Sequence, residues 1–328
     1  MPANLTPMYY KAERDYRRAQ TAQEQVDGLQ RMLQLIPRHK GTDKLQADLK
    51  SRLSEARKQL KIQLNAPKGG QVFRIPRQGA GRVVILGGPN GGKSRILQEL
   101  TDARPEVAEF PFTTRTPLPA MLHWQGVQIQ LVDTPPVTPG QLPPWLLNLV
   151  RTADGVLLVA DGSGDQAIED TLAVIQEFED RKTRFTETGG FDEQNYSIVN
   201  VASRVVMTHG RDAGSEIRLE LLQETGRLKT VAVVVDLDDP ELVESLKRQT
   251  FEMLNVIRVC TRPPGGPPDL QSPLTIPAGG TVEDLALQIH EDLAQRLKHA
   301  RLWRGGDHEG QIVGREYQLR DGDVVELH

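Results

Sequence analysis

The chain of 328 residues has one cysteine and no long apolar run. Cys260 lacks a second cysteine with which to pair, which excludes a disulfide framework and a cysteine-rich metal site. No apolar stretch approaches the roughly 20 residues of a membrane span, and the first residues, MPANLTPMYYKAERDY, are too polar for a secretory signal. We therefore expect a cytoplasmic protein that does not bind membranes.

Acidic side chains are scarce in the first 70 residues. This segment contains 14 Lys and Arg against 7 Asp and Glu, whereas the rest of the chain contains 26 against 37, an imbalance that the net charge of −4 conceals. Basic surfaces attract nucleic acid, so this end is the better candidate for contact with RNA. The segment from Arg262 onward has 7 basic against 11 acidic residues and lacks that electrostatic signature.

Residues 87–94, GGPNGGKS, are the most informative stretch, because they follow an apolar run and precede an amphipathic segment. The spacing G-x-x-x-x-G-K-S is that of a P-loop. In a P-loop, backbone N–H groups surround a polyphosphate at a helix N-terminus, the lysine lies beside the outer phosphates and the serine hydroxyl binds Mg²⁺. A plain glycine-rich turn is the alternative. The predicted nucleotide-binding residues are Gly87, Gly88, Pro89, Asn90, Gly91, Gly92, Lys93 and Ser94.

The first 65 or so residues predict helices. Thr6 and Pro7 have the pattern of an N-cap followed by proline at the first helical position. Apolar residues recur at three- and four-residue intervals before Pro37 and again after Thr42, so we expect an antiparallel helical hairpin joined by PRHKG. These positions are Val26, Leu29, Leu33 and Ile36 in one helix, and Leu45, Leu49, Leu53, Ala56 and Leu60 in the other.

From Gly81 the pattern changes to apolar strands that alternate with amphipathic segments. RVVILGG, VQIQLVD, GVLLVAD, VASRVVMT and LKTVAVVVD are continuous apolar runs, which predicts a mostly parallel, doubly wound α/β sheet. We expect residues 183–197 to form a polar surface excursion or a lid. Beyond a Pro- and Gly-rich boundary, short strands surround one helix from Thr281 to Leu297. The expected domains are residues 1–66, 67–254 and 255–328.

Further motifs carry a family resemblance. FPFTTRTP follows the P-loop, and the strand VQIQLVD ends in Asp133-Thr134-Pro135. This order resembles the Obg/DRG branch of GTPases. The tail, from IRVCTRPPGGPPD to GQIVGREYQLRDGDVVELH, looks like the β-grasp-like TGS domain of DRG-type proteins, and IPRHKGTDKLQADLKSRL looks like their helical leader. The resemblance thus covers nearly the whole chain.

The resemblance implies a role for particular residues. Lys93 and the P-loop backbone would hold the β and γ phosphates, and Ser94 with Thr113 or Thr114 would ligate Mg²⁺ when switch I closes. Asp133 would hold the metal through water, and Asn90 matches an asparagine that holds K⁺ in potassium-activated relatives. The threonines could instead be strand-edge residues, Asp133 a loop cap, and Asn90 an ordinary turn residue.

Switch II departs from the family pattern. Pro136 replaces the glycine whose N–H meets the γ-phosphate, and proline has no N–H. Loss of one hydrogen bond to a charged group should reduce the distinction between di- and triphosphate by roughly 10- to 100-fold, unless a neighbouring amide substitutes. Val137 takes the place of a water-orienting glutamine, which implies either slow intrinsic hydrolysis or a different way of orienting water.

The base-reading motif departs as well. Where the family has N-K-x-D, this chain has THGR at residues 208–211, so the guanine-reading carboxylate is absent unless Asp212 rotates into its place. Sites built on such buried hydrogen bonds discriminate by about 10⁴-fold or more. His209 could stack on a base or be a plain loop histidine.

Three functions follow as hypotheses. The first is a Mg²⁺-dependent, GTP- and GDP-binding switch protein with slow GTP hydrolysis, associated with ribosomes or structured RNA through Arg38 and Lys40 of the basic hairpin. The second is a pseudo-GTPase that has lost guanine selectivity or hydrolysis and binds protein partners through its TGS domain and hairpin. The third is an enzyme that uses ATP. Relative affinities for GTP, GDP and ATP distinguish them.

Overall fold

The computed structural model describes residues 5–19, 22–37, 42–65, 73, 75–101, 116–191, 195, 198–304 and 310–328. Thr113 and Thr114, together with the hairpin-tip residues Arg38, His39 and Lys40, lie outside these ranges. Within the ranges, no helix combines the length and apolar character needed to cross a membrane.

The described part of the N-terminal unit consists of α1 (Pro7–Arg18), α2 (Ala22–Leu35) and α3 (Asp43–Asn65). The predicted cap of α1 is confirmed, because the Thr6 side chain accepts a hydrogen bond from the Tyr9 amide at 3.3 Å. Helices α2 and α3 pack together as the predicted hairpin, and the amphipathic α1 packs on α2. The helical core contains Tyr9, Ala12, Leu29, Met32, Ile36, Leu45 and Leu49.

The central unit is the predicted doubly wound α/β fold. Its strands are β1 (Arg82–Gly87), β2 (Leu118–Trp124), β3 (Val127–Asp133), β4 (Gly155–Ala160), β5 (Thr183–Thr186), β6 (Gly190–Phe191), β7 (Val199–Met207) and β8 (Val231–Val234). Its helices are α4 (Lys93–Leu100), α5 (Pro144–Arg151), α6 (Gln166–Glu179), α7 (Ser215–Glu224) and α8 (Pro240–Met253). Separate apolar clusters cover the two faces of the sheet.

The strand order through the main sheet is β2-β3-β1-β4-β7-β8. In this order β3, β1, β4, β7 and β8 are parallel to their neighbours, whereas β2 runs antiparallel to β3. Elsewhere in the described sheet, β6 runs antiparallel to β7. The expected surface excursion after Thr183 instead holds β5 and β6, which pair with the first half of β7. That half of β7 extends beyond β4, so its backbone groups need these additional partners.

The C-terminal unit is a five-stranded sheet of order β10-β9-β13-β11-β12 with two helices packed on it. Its elements are β9 (Val256–Thr261), β10 (Leu274–Pro277), α9 (Val282–Ile289), α10 (Glu291–Arg296), β11 (Ala300–Trp303), β12 (Gln311–Val313) and β13 (Asp323–Leu327). The capping box of Thr281 and Asp284 starts α9. The predicted single helix is broken at His290, whose extended backbone ends α9 while its ring caps α10.

Arg258 of β9 joins the C-terminal unit to the central one. Its guanidinium lies 5.3 Å from the ring centre of Trp124 and 5.5 Å from that of Phe251, and it also donates to Gln125. Gly126 approaches the C-terminal unit closely, since a Cβ there would lie 2.6 Å from the Gln271 carbonyl oxygen. The turn between β2 and β3 is therefore the docking point of the C-terminal unit.

Candidate nucleotide-binding site

The P-loop connects the buried strand β1 to α4, as the sequence predicts. Gly92 has a φ of 85° and Asn90 a φ of 56°, so the chain curls through left-handed conformations that favour glycine and asparagine. At Gly87 a Cβ would lie 2.4 Å from the Val159 carbonyl oxygen, which only glycine avoids. These residues therefore form a tight backbone loop at a helix N-terminus, the geometry that binds phosphate.

Lys93 is buried and folded back over this loop. Its Nζ donates to the Gly88 carbonyl oxygen at 2.5 Å. Burial lowers the pKa of Lys93 from its ordinary value, and the negative charge of Asp133 opposes that shift. An ammonium group held inside a loop of backbone amides is suited to bind the outer phosphates of a nucleotide.

Ser94 and Asp133 converge beside Lys93. The Ser94 hydroxyl donates to Asp133 Oδ2 at 2.6 Å, and Asp133 is only 1% exposed at the end of β3. A hydroxyl and a carboxylate oxygen are the donors that Mg²⁺ accepts, with phosphate and water completing its shell. The residues present therefore fit a nucleotide-bound magnesium ion.

The segment after Asp133 is tied to β1. The Thr134 hydroxyl donates to the Ile85 carbonyl oxygen at 2.7 Å, and the Val137 amide donates to the Gly87 carbonyl oxygen at 3.1 Å. Val137 is 2% exposed and belongs to the apolar core. The neighbouring amide that could have replaced the missing N–H of Pro136 is therefore engaged with the P-loop backbone.

The loop after β7 borders the P-loop. The Thr208 hydroxyl lies 3.2 Å from the Ala160 carbonyl oxygen and 3.4 Å from that of Gly91, so Thr208 supports the P-loop from beneath. His209 has a φ of 59°, and its Nδ1 lies 2.9 Å from Asp161 Oδ1. This contact turns the ring toward the end of β4.

Two ion pairs, missed from the sequence, occupy the region of the base motif. Arg211 pairs through Nε with Asp236, which follows β8. Asp212 accepts from the Gly214 amide at 2.8 Å and from Arg218 at 3.0 Å. The hydrogen bond from the Gly214 amide lowers the pKa of Asp212 most, and the hydrogen bond from Arg218 lowers it further. Asp212 therefore does not rotate into the place of the missing carboxylate.

The P-loop, Lys93 and the hydrogen-bonded pair of Ser94 and Asp133 lie at the carboxyl-terminal edge of a parallel sheet. This arrangement is typical of a P-loop nucleotide-binding domain of the G-domain type. Of the predicted site residues, the structure brings together the P-loop with Lys93, Ser94 and Asp133.

Comparison with known proteins refines this class. Residues 82–185 match the family described as 50S ribosome-binding GTPase, and residues 257–328 match the TGS domain. An uncharacterized GTP-binding protein of Methanocaldococcus jannaschii is 26% identical over 93% of this chain and 92% of its own length. The developmentally-regulated G-protein 3 of Arabidopsis thaliana is 25% identical over 85% of this chain and 91% of its own length.

One solved structure supports the same fold. The YchF GTPase of Schizosaccharomyces pombe superposes with a TM-score of 0.55 at 14% identity, covering 77% of this chain and 99% of that one. The chain thus combines a GTPase G domain with a TGS domain, and its homologues are GTP-binding proteins of the DRG, Obg-like family. The resemblance that the motifs predicted is confirmed.

Proposed function

We propose that this protein is a guanine-nucleotide-binding switch of the DRG/Obg type that requires Mg²⁺ and hydrolyses GTP slowly. The observation that carries the proposal is the convergence of Lys93, Ser94 and Asp133 on the P-loop. The relatives that match this chain over most of their own length are named as a GTP-binding protein and a G-protein. Their names favour this function over a nucleotide-independent binding module.

Each residue would have a distinct role. Lys93 and the amides of the P-loop would bind the β and γ phosphates. Ser94 and Asp133 would hold Mg²⁺, which neutralises phosphate charge when bound, and Thr113 or Thr114 would add a ligand from switch I. Val137 is buried and apolar, so no side chain at this position orients water, which supports slow turnover.

The test is GTP binding and single-turnover hydrolysis by the full chain with Mg²⁺. Wild-type protein should bind and slowly hydrolyse GTP, whereas Lys93→Ala should lose both. Lys298→Ala, which changes an exposed lysine of the TGS domain, is the matched control and should behave as wild type. Equal behaviour of Lys93→Ala and Lys298→Ala would refute the proposal.

Replacing Na⁺ by K⁺ tests Asn90 as a potassium ligand. The measured quantity is the rate of GTP hydrolysis.

We also propose that the basic N-terminal unit, residues 1–66, contacts a ribosome or structured RNA in the cytoplasm. Lys50, Arg57 and Lys58 lie exposed along α3, in the same unit as Arg38 and Lys40. The acidic TGS unit, residues 255–328, is better suited to a protein partner. The G domain, residues 67–254, lies between the N-terminal unit and the TGS unit in the sequence. Changing the three α3 residues to glutamate should weaken sedimentation with ribosomes and flatten its salt dependence. Unchanged sedimentation would exclude this surface.

A further inference from the structure

The loops that follow β7 and β8 form the end of the nucleotide cleft where a base would lie. Thr208 touches the P-loop at Gly91, and Arg95 of α4 pairs with Asp238, so residues 208–212 and 235–239 both border the phosphate site. The Gly210 amide donates to the Val235 carbonyl oxygen at 3.2 Å and joins the two loops. In doubly wound sheets the ligand lies at this carboxyl edge, so the base extends between these loops.

Among the described residues, five carboxylates at this end each accept from a donor within the protein. These contacts are Asp161 with Ser163 and His209, Asp212 with Gly214 and Arg218, Asp236 with Arg211 and the Asp238 amide, Asp238 with Arg95, and Asp239 with the first amides of α8. A carboxylate that reads guanine must accept from N1–H and from the 2-amino group. These five carboxylates already serve internal donors.

Of the three described arginines that pair with these carboxylates, Arg211 has the most exposed side chain. It is 72% exposed, while its partner Asp236 is 12% exposed and is itself held by the Asp238 amide at 2.9 Å. A guanidinium carries five N–H donors in a planar fork, more than one carboxylate can use. Asp236 therefore anchors the guanidinium and leaves donors for a second, planar acceptor.

We propose that Arg211, positioned by Asp236, selects guanine through the acceptor atoms O6 and N7 of the base, in place of a carboxylate at its N–H groups. Arginine makes this bidentate contact with guanine readily, whereas adenine presents an amino donor beside N7 and opposes it. The inference rests on the proposed function, since it requires that the P-loop bind the phosphates of the same nucleotide.

The expected selectivity is modest. A bidentate arginine contact discriminates by about 5- to 150-fold, far less than the roughly 10⁴-fold of a site that satisfies the guanine N–H groups. The two modes also differ for xanthosine triphosphate (XTP), in which an oxygen replaces the 2-amino group. A carboxylate would reject XTP, whereas an arginine at O6 and N7 would accept it.

The experiment is equilibrium titration of the full chain with GTP, XTP, 7-deaza-GTP and ATP in Mg²⁺. XTP should bind at least as tightly as GTP, whereas 7-deaza-GTP and ATP should bind about 5- to 150-fold more weakly. Arg211→Ala should reduce GTP affinity to that of ATP and leave ATP affinity unchanged, which also shows that the variant is folded. Arg248→Ala, at an exposed arginine of α8, is the matched control.

A gain-of-function variant tests the same assignment. Arg211→Asp with Asp236→Asn restores an unpaired carboxylate, keeps an acceptor for the Asp238 amide, and should convert tolerance of XTP into rejection. Rejection of XTP by the wild type, or a GTP-to-ATP ratio that Arg211→Ala does not change, would overturn the inference while leaving the proposed function intact. Absence of binding of any of the four nucleotides would refute the proposed function itself.

Discussion

The Ser94 hydroxyl and the Asp133 carboxylate are joined by a hydrogen bond of 2.6 Å, which links the first turn of α4 to the end of β3. Two oxygen donors from separate elements are thereby held together before a metal binds. Little side-chain rearrangement is then needed to place both beside a magnesium ion.

We therefore expect Ser94→Ala to remove most of the magnesium dependence of GTP affinity. The loss should be about 10- to 100-fold in the presence of Mg²⁺, the range for a hydrogen bond or ligand to a charged group, and small in EDTA. Titrations with and without EDTA measure it. Ser54→Ala, at an exposed serine of α3, should retain the full effect of Mg²⁺. A Ser94→Ala variant as magnesium-dependent as wild type would contradict the assignment.

Affinity for GTP should fall at alkaline pH because of Lys93. Burial places the pKa of Lys93 in the folded protein below its ordinary value of 10.5. At a pH between the folded-state and the unfolded-state pKa, the folded protein therefore binds fewer protons than the unfolded chain. A bound triphosphate favours the charged ammonium, so binding takes up a proton in this window. GTP affinity should therefore decline as the pH rises through the lowered pKa.

The matched variant for this measurement is Lys93→Arg, because a guanidinium stays charged over the same range. Its affinity can be lower overall, but its pH profile should be flat where that of the wild type declines. Identical profiles for the two proteins would show that another group titrates.

Discrimination between GTP and GDP should be weak in the wild type and stronger in Pro136→Gly. Proline offers no N–H, and the Val137 amide donates to the Gly87 carbonyl oxygen. Restoring an N–H at residue 136 should increase the ratio of GTP to GDP affinity by roughly 10- to 100-fold. Calorimetric titration with both nucleotides measures this ratio, and Pro139→Gly, at an exposed proline of the same loop, should leave it unchanged.

The TGS domain should depend on the ion pair of Arg304 with Asp323. Two hydrogen bonds of 2.7 Å join the side chains, and Asp323 is 1% exposed. Asp323 also accepts from the Arg320 amide at 2.8 Å, whereas the Arg304 side chain is 31% exposed and stays partly hydrated when its partner is removed. Asp323→Ala should therefore lower the free energy of unfolding by about 1–3 kcal/mol through the lost hydrogen bonds. Urea unfolding monitored by fluorescence measures it. Asp292→Ala, at an exposed carboxylate of α10, should have little effect.

The sequence predicts this site well where chemistry is local. The glycine spacing, Lys93 and Ser94 lie within eight residues, and Asp133 ends a strand that is recognisable by its apolar run. The pairing of Arg211 with Asp236 joins residues 25 positions apart, and it depends on the parallel register of β7 and β8. Composition and periodicity do not encode that register, so the ion pair emerges only from the structure.

Errors in the fold have similar causes. The apolar spacing of residues 281–297 suits one helix, but the His290 ring accepts from the Asp292 amide and starts a second one. Strand β12 has only three residues, two of them exposed, too few for an alternating pattern. The partnership of β5 and β6 with β7 is likewise long-range and leaves no periodic trace in a polar segment.

Strand β2 starts at Leu118, four residues after Thr114, and ends at Trp124, against which Arg258 of the TGS domain stacks. Seven residues of extended chain cover about 20 Å, and an extended strand is stiff along its length. Leu118 pairs with Asp133 of the candidate nucleotide site, so this site and the contact of Trp124 with the TGS domain lie at opposite ends of one strand. A displacement of the backbone at Leu118 would therefore be transmitted along the strand to Trp124.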